Sequence, residues 1–393
     1  MRVRCELCLA RAHDDRGAAR HRAAPRRRAA NDRRAARGSD RPQPPAFEFQ
    51  ASERLYNLGK GFPSHRLAKD KTYRPGRRDT QPARPPDGSG GSVSGTAYLA
   101  VINPAAGHGR CGKMVGPALE RLRAAGIELE TVETRHAGHA TRIAREAYQD
   151  GYRRFLAVGG DGTSYEIVNG LFPEASEGER PTLGFLPLGT GNSFLRDFSE
   201  RGLEHSFEAL TTGRTRPCDV LRMKHKQGVV HYINILSVGF VADVAVVANR
   251  RFKRMGQLGY WLGIIVCLAR LDRRAFPLAV NGQQDIDRRR CLLLTFNNSK
   301  YTGGKMMLAP DAEIADGLIE YVRWGPVGRL GLVSNLPGLY DGSHIYQPLA
   351  SRLAARQIDF YLDSPIDVMV DGEVLTIHCE RLDVLPSALN VIA

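Results

Sequence analysis

A glycine-rich loop between a buried strand and a helix constrains this chain more than any other feature. The apolar run Phe155–Val158 predicts a buried strand, the loop spans Gly159–Thr163, and apolar residues return at helical spacing from Ile167 onward. Because glycines carry no Cβ, backbone N–H groups of such a loop can close on an anionic oxygen at the positive end of the following helix. The pattern therefore predicts a phosphate-binding strand–loop–helix unit.

Asp161 stands in the middle of this loop. A carboxylate beside phosphate oxygens repels them unless a cation or a transferring proton lies between, so Asp161 indicates Mg²⁺-nucleotide chemistry rather than simple anion binding. The alternative is an ordinary tight turn with an acidic residue at the start of a helix.

The surrounding segments alternate between strands and helices. Tyr98–Ile102, Gly126–Val132 and Thr182–Leu186 predict three more strands, and helices are expected over Lys113–Ala125 and from Gly138 onward. This alternation predicts a doubly wound parallel sheet of the α/β class, with a ligand crevice at the carboxyl ends of the strands.

Small polar loops follow all four predicted strands at that edge. Asn103 follows the first strand, Thr134 the second and Pro187–Asn192 the fourth, while prolines that merely stop strands are the alternative explanation. One nucleotide could touch every loop. The candidate ATP-binding residues are Asn103, Thr134, Gly159, Gly160, Asp161, Gly162, Thr163, Glu166, Gly189, Thr190 and Asn192.

The positive charge of the chain is concentrated before this region. Residues 1–95 carry 22 basic and 10 acidic groups, whereas the rest carries 34 and 32. Rich in Arg, Ala and Pro, this segment predicts a disordered basic extension. It is either an arm for anionic lipid or nucleic acid or a segment without function. Cys5 and Cys8 with His13 form only half of a zinc pattern.

Scattered cysteines, no apolar leader and a longest apolar run of only Leu258–Ala269 predict a cytoplasmic protein without a membrane span. We expect no nucleic-acid partner for the folded part, and we consider a homodimer.

The loop motifs resemble those of a known family. Asn103-Pro104 with Gly107, Gly138–Ala140, Gly159–Thr163 and Pro187–Asn192 are similar to the catalytic domain of the soluble diacylglycerol kinase and sphingosine kinase superfamily, in its bacterial lipid kinase branch. The resemblance runs from about residue 97 to 393. It implies a nucleotide-binding α/β domain over 96–215, a β-sandwich domain over 216–393, and an active site in the cleft between them.

Alternating stretches in the second part fit this implication. His231–Leu236 and Arg290–Phe296 have the composition of strands. The resemblance further implies ATP-dependent transfer of the γ-phosphate to a lipid hydroxyl, with diacylglycerol as first choice and phosphatidic acid as product. A sphingoid base stays open, and so, at a greater distance, do NAD and a lipid-binding module without catalysis.

Asp316, in the turn before a predicted strand, could hold a hard cation through oxygen ligands. The resemblance implies a structural magnesium site formed by Asp316 with main-chain oxygens of Glu313 and Leu318. An ordinary Asp-Gly turn is the competing interpretation.

A second acidic motif, Val368–Glu373, ends a buried strand with two carboxylates around a glycine. A lipid hydroxyl needs a base near the γ-phosphate, and the resemblance implies that the proton acceptor lies in this segment. We favour Glu373, with Asp371 as its rival and Asp161 as a metal or phosphate positioner. A simple hairpin turn is the alternative.

The apolar stretch Gly256–Ala269 has basic residues on both sides, from Arg250 to Arg254 and from Arg270 to Arg274. Such a segment suits docking on an anionic membrane surface, and core packing of a helix explains it nearly as well.

Overall fold

A parallel sheet with helices on both faces forms the first part of the structure. The computed structural model describes residues 97–252 and 256–393, so the predictions for the N-terminal extension, including the half zinc pattern, lie outside the described residues. The elements here are β1 Tyr98–Ile102, α1 Arg110–Ala124, β2 Leu129–Glu133, α2 His139–Gln149, β3 Arg154–Gly159, α3 Asp161–Leu171, β4 Thr182–Pro187 and α4 Leu203–Thr212.

Alternation along β1 explains the two helical layers. Its neighbours β2 and β3 run parallel to it, and β4 runs parallel to β3. Leu99 and Val101 pack in one cluster with residues of α2 and α3, whereas Ala100 and Ile102 pack in another with residues of α1 and α4. Since successive side chains of a strand point to opposite faces, a strand covered on both sides must be apolar throughout. The doubly wound sheet is confirmed.

The second predicted strand starts later than expected. Gly126 has a left-handed φ of +84° and ends α1, and the N–H of Ile127 donates to the carbonyl of Leu122 at 3.1 Å. These residues are used to close the helix, as glycines after helices commonly are, so β2 begins only at Leu129.

The remaining elements build two more layers of strands. They are β5 Thr215–His225, β6 Gly228–Tyr232, β7 Ile235–Gly239, α5 Phe240–Arg251, α6 Gly256–Arg270, β8 Arg274–Ala275, β9 Leu278–Val280, β10 Arg290–Cys291, β11 Leu293–Asn297, β12 Tyr301–Thr302, β13 Met306–Met307, β14 Ile319–Trp324, α7 Arg329–Asn335, α8 Gly338–Asp341, β15 Ala350–Ala355, β16 Gln357–Phe360, β17 Ile366–Val370, β18 Glu373–Ile377 and β19 Cys379–Ile392.

Two sheets face each other in this part. One has the order β15-β14-β11-β7-β17-β18 and is antiparallel, and the other contains β5, β6, β9, β16 and β19. Side chains of both sheets, such as Leu221, Leu236, Phe296 and Leu382, share one buried cluster. This is the packing of a β-sandwich, and it confirms the predicted fold class.

The last strand joins the sandwich to the parallel sheet. β19 runs antiparallel to β5 over most of its length, and its end pairs in parallel with β4 through Asn390 and Val391. The order β2-β1-β3-β4-β19-β16-β9 is therefore continuous. The two parts of the chain therefore share one continuous sheet, joined where β19 pairs with β4.

Two predicted strands are interrupted. His231–Leu236 breaks at Ile233 and Asn234, because the amides of residues 233–235 turn toward the carboxylate of Asp371. Arg290–Phe296 breaks at Leu292, where β10 leaves for a different partner, β8.

None of the described helices is long and apolar enough to cross a bilayer.

Candidate active site

The glycine loop after β3 is shaped by contacts that leave no room for a side chain. A Cβ on Gly159 would lie 2.2 Å from Oγ1 of Thr163. Thr163 is almost fully buried and folds back over the loop at the start of α3. Gly159 is therefore needed for the position of Thr163.

The loop after β4 packs directly against the first one. The N–H of Gly189 donates to the carbonyl of Gly159 at 2.7 Å, and the N–H of Asp161 donates to the carbonyl of Gly191 at 2.9 Å. A Cβ on Gly189 would lie 2.7 Å from the nitrogen of Gly160. The two loops thus form one unit of interlocked backbone.

Asp161 is held at the junction of these loops. Both of its carboxylate oxygens accept the N–H of Ser193 at 3.0 Å. Burial raises the pKa of Asp161, and hydrogen bonds from Ser193 and Phe194 oppose that rise. These hydrogen bonds fix the orientation of the carboxylate.

Glu373 lies against the same loop from the other part of the chain. A Cβ on Gly162 would be 2.8 Å from Oε1 of Glu373. Asp371 and Gly372 have φ values of +46° and +92° and form the turn between β17 and β18. The hairpin-turn alternative thus describes the local structure, and this turn brings Glu373 to the glycine loop after β3.

Asp371 has a different environment from Glu373. It is 3% exposed, and its carboxylate accepts the N–H groups of Ile233, Asn234 and Ile235 at 3.1, 3.2 and 2.8 Å. The pKa of Asp371 is raised to about 7, chiefly by burial and also by the charge of Asp161, while the hydrogen bonds from the three amides partly offset the rise. Asp371 fixes the connection between β6 and β7.

One cavity of about 350 Å³ is lined by both glycine loops and by Asp371 and Glu373 of the β17–β18 turn. Its polar side is formed by Asn103, Gly160, Asp161, Gly162, Thr163, Gly189, Thr190, Ser193, Asn234, Asp371 and Glu373. Its apolar side is formed by Val241, Ala245, Ala248, Met306 and Met369. Among the described residues that line it, the charged ones are all acidic.

Four predicted ATP-binding residues lie outside this lining: Thr134, Gly159, Glu166 and Asn192. The carboxylate of Glu166 accepts the N–H groups of Gly138 and Ala140 at 2.8 and 3.0 Å, so it joins α3 to the start of α2. The amide of Asn192 donates to the carbonyl of Gly189 at 3.2 Å. Glu166 and Asn192 thus hold neighbouring backbone, and the role of all four residues in nucleotide binding stays a prediction.

The predicted magnesium residues Glu313, Asp316 and Leu318 also lie outside the cavity lining. Oδ1 of Asp316 accepts the N–H of Leu318 at 2.9 Å, as in an ordinary Asx turn. The turn is tied down by buried Asp219, whose Oδ2 accepts the N–H of Gly317 at 2.6 Å. No group of three His, Cys, Asp or Glu residues in the described part of the chain is arranged to hold a metal. A cation here would use main-chain oxygens and water in addition to Asp316.

Sequence reasoning missed several residues of this region. Ser193 directly follows the Gly189–Asn192 loop, Asp197 lies four residues further on, and Asp219 lies between the apolar residues Cys218 and Val220 of β5. An acidic residue between apolar neighbours in a predicted strand was a readable signal for Asp219. Nothing local indicated that Asn234 would reach the cavity.

Comparisons with known proteins agree with this geometry. Residues 97–223 match the diacylglycerol kinase catalytic domain family, and residues 234–393 match the YegS C-terminal NAD kinase beta sandwich-like domain. A Chromohalobacter salexigens protein named a probable lipid kinase, YegS-like, is 32% identical over 292 residues, which is 71% of this chain and 88% of that protein. The diacylglycerol kinase of Bacillus subtilis is 28% identical over 276 residues, 70% of this chain and 88% of that protein.

Solved structures support the fold. The crystal structure of a diacylglycerol kinase from Bacillus anthracis superposes with a TM-score of 0.56 at 21% identity, covering 76% of this chain and 96% of that one.

Proposed function

Because this chain belongs to the family of bacterial diacylglycerol kinases and YegS-like lipid kinases, it is an ATP-dependent lipid kinase, and we propose that its acceptor is diacylglycerol and its product phosphatidic acid. The observation that carries the proposal is the contact between Glu373 and the phosphate loop at Gly162, inside a cavity with an apolar side. A base, a phosphate-binding backbone and an apolar surface are the parts that this reaction needs.

The phosphates of ATP would bind at the start of α3. The helix begins at Asp161, where the N–H groups of Asp161 and Thr163 already donate to the carbonyls of Gly191 and Gly160. The N–H groups of Gly160 and Gly162 are therefore the ones suited to bind phosphate oxygens at this helix start. Backbone from Gly160 to Thr163 is therefore suited to the β- and γ-phosphates, and Thr190 and Asn103 are suited to the rest of the nucleotide.

Magnesium fits the charge of this site. The charged residues among the described lining are Asp161, Asp371 and Glu373, which would repel ATP without a cation. When bound, Mg²⁺ would neutralise phosphate charge, and Asp161, fixed by Ser193, is the side chain most suited to orient it. The turn at Asp316 is the second, structural candidate.

The residues of the chain account for the proton transfer. Glu373 would accept the hydroxyl proton while the acceptor oxygen forms a bond to the γ-phosphorus and the bond to the bridging β–γ oxygen breaks, releasing ADP. Asp371 is less suited as the base, because three backbone amides already occupy its carboxylate. We assign it the role of holding the turn that carries Glu373.

A sphingoid base is the second candidate acceptor. It carries a cationic amine, and the acidic lining of the cavity would favour such a group. NAD and a module without catalysis agree less well with the apolar side and with the placement of Glu373.

A radiolabelled-ATP assay against dioctanoylglycerol, sphingosine, NAD and fructose 6-phosphate tests the acceptor. We expect the label in phosphatidic acid. Preferential labelling of sphingosine or NAD would overturn the diacylglycerol assignment.

We further propose that the enzyme is cytoplasmic and acts at the membrane surface through the end of α6. Ile265 is 60% exposed, and exposed Arg270 and Arg273 follow it, a combination that suits anionic lipid.

Sedimentation with phosphatidylcholine vesicles, with and without phosphatidylglycerol, tests this membrane surface. Binding should need the anionic lipid, weaken with salt and weaken in the R270E/R273E double variant but not in R123E. Binding indifferent to anionic lipid and salt would rule the surface out.

A further inference from the structure

The short hairpin β12–β13 contributes to the lining of the cavity, on the side that the proposed function assigns to the acceptor. Thr302, Gly303 and Met306 of this hairpin line it, and Met306 belongs to its apolar side. With two residues in each strand, the hairpin has few backbone bonds of its own. Its position must therefore depend on contacts with other segments.

The turn that follows the second glycine loop supplies three such contacts. Oγ of Ser193 accepts the N–H of Gly304 at 2.9 Å, and both carboxylate oxygens of Asp197 accept the N–H of Lys300 at 3.1 Å. The guanidinium of Arg196 lies 5.7 Å from the ring centre of Tyr301. The start of the hairpin, at Lys300 and Tyr301, and its turn, at Gly304, are thus held from the same short segment.

Ser193 also contacts the phosphate side. Its N–H is the donor to both oxygens of Asp161, while its hydroxyl accepts from the hairpin. At 2% exposure it has no freedom to exchange these partners for water. One residue thus links the acidic group of the phosphate loop to the acceptor wall.

We propose that Ser193, Arg196 and Asp197 are positioning residues that hold the hairpin of residues 300–307 at a fixed position relative to the phosphate loop. These three residues form a clamp that aligns the lipid hydroxyl with the γ-phosphate, so the specific effect of this clamp is on acceptor binding. The kinetic part of this inference rests on the proposed function, whereas the structural part does not.

Loss of the clamp should separate the two substrates kinetically. In Asp197→Ala the amide of Lys300 loses its acceptor, and we expect KM for dioctanoylglycerol to rise about tenfold while KM for ATP changes by less than about twofold. Asp197→Asn keeps an oxygen acceptor and should restore most of the acceptor affinity. Glu208→Ala, which removes a surface ion pair between α4 and Arg201 just before that helix, should leave both constants unchanged.

Hydrogen exchange tests the clamp without any assumption about the acceptor. The amides of Lys300 and Gly304 should exchange faster in Asp197→Ala and Ser193→Ala respectively, and at the wild-type rate in Glu208→Ala. Unchanged exchange in both variants would overturn the clamp. Faster exchange with an unchanged KM for the acceptor, or an equal rise of both KM values, would overturn its role in acceptor alignment. A wild-type enzyme inactive on diacylglycerol but with this exchange pattern would overturn only the substrate.

Discussion

The cavity side that we propose for the phosphates, the phosphate side, and the one that we propose for the lipid, the acceptor side, are built in different ways. The phosphate side consists of backbone from two loops whose glycines approach within van der Waals contact, as at Gly189 and Gly160. The acceptor side consists of side chains from α5, the β12–β13 hairpin and β17, which are distant in sequence. The first side depends on local geometry and tolerates no added atoms. The second depends on packing and should be adjustable.

Replacing Glu373, the proposed base, should have the largest effect on activity. Glu373→Gln removes the proposed base, and we expect kcat to fall by about 10³-fold with little change in stability, since the side chain is exposed. Steady-state kinetics and urea unfolding measure the two effects. Exposed Glu380→Gln on β19 is the matched control and should behave as wild type. A glutamine variant that keeps most of its activity would remove Glu373 from the mechanism.

The next effect concerns the phosphate side. In Gly189→Ala the new Cβ would meet backbone of Gly160 at 2.7 Å, so the loops must move apart. We expect KM for ATP to rise about 100-fold, because phosphate binding depends on loop geometry to within an ångström. Gly116→Ala in α1, where a Cβ meets nothing within 4 Å, is the control. Equal kinetics of the two variants would show that the loops are not interlocked as described.

On the acceptor side a larger residue should have a smaller and selective effect. Ala245→Phe fills part of the apolar lining and should raise KM for a long-chain acceptor about tenfold, with KM for ATP nearly unchanged. Ala124→Phe on the exposed end of α1 serves as the control. If Ala245→Phe instead impaired ATP binding alone, the apolar side would not belong to the acceptor.

The smallest effect is on stability, at the contact between the two parts of the chain. His231 is 1% exposed, and burial lowers its pKa from 6.5 to about 4. Between pH 6.5 and 4 the His231 side chain therefore binds a proton in the unfolded chain but stays neutral in the native state. As a result, stability that is present above pH 6.5 is lost as the pH falls toward 4. We expect the free energy of unfolding to fall by about 2 kcal/mol between pH 6.5 and 5 because of His231, and we expect this loss to be absent in His231→Leu. Urea unfolding at both pH values gives the difference, and parallel curves for the two proteins would contradict it.

Sequence reasoning succeeded where local chemistry determines the structure. The strand–loop–helix unit at Gly159 and the strand–loop unit at Gly189 were predictable, because the glycines that these tight loops require lie in the loops themselves. Contacts between segments far apart in the chain could not be predicted from the sequence. The parallel contact of Asn390 with Thr182, the three amides on Asp371 and the clamp from Ser193 all join segments far apart in the chain. Glu166 illustrates the same limit, since a carboxylate beside a phosphate loop turned out to hold a neighbouring helix.

A crystal structure with Mg²⁺ and a non-hydrolysable ATP analogue tests the central claim most directly. The account predicts the β- and γ-phosphates on the backbone of residues 160–163, with the γ-phosphate facing Glu373 across the space left for a hydroxyl. Phosphates bound away from this loop, or a γ-phosphate directed away from Glu373, would contradict it.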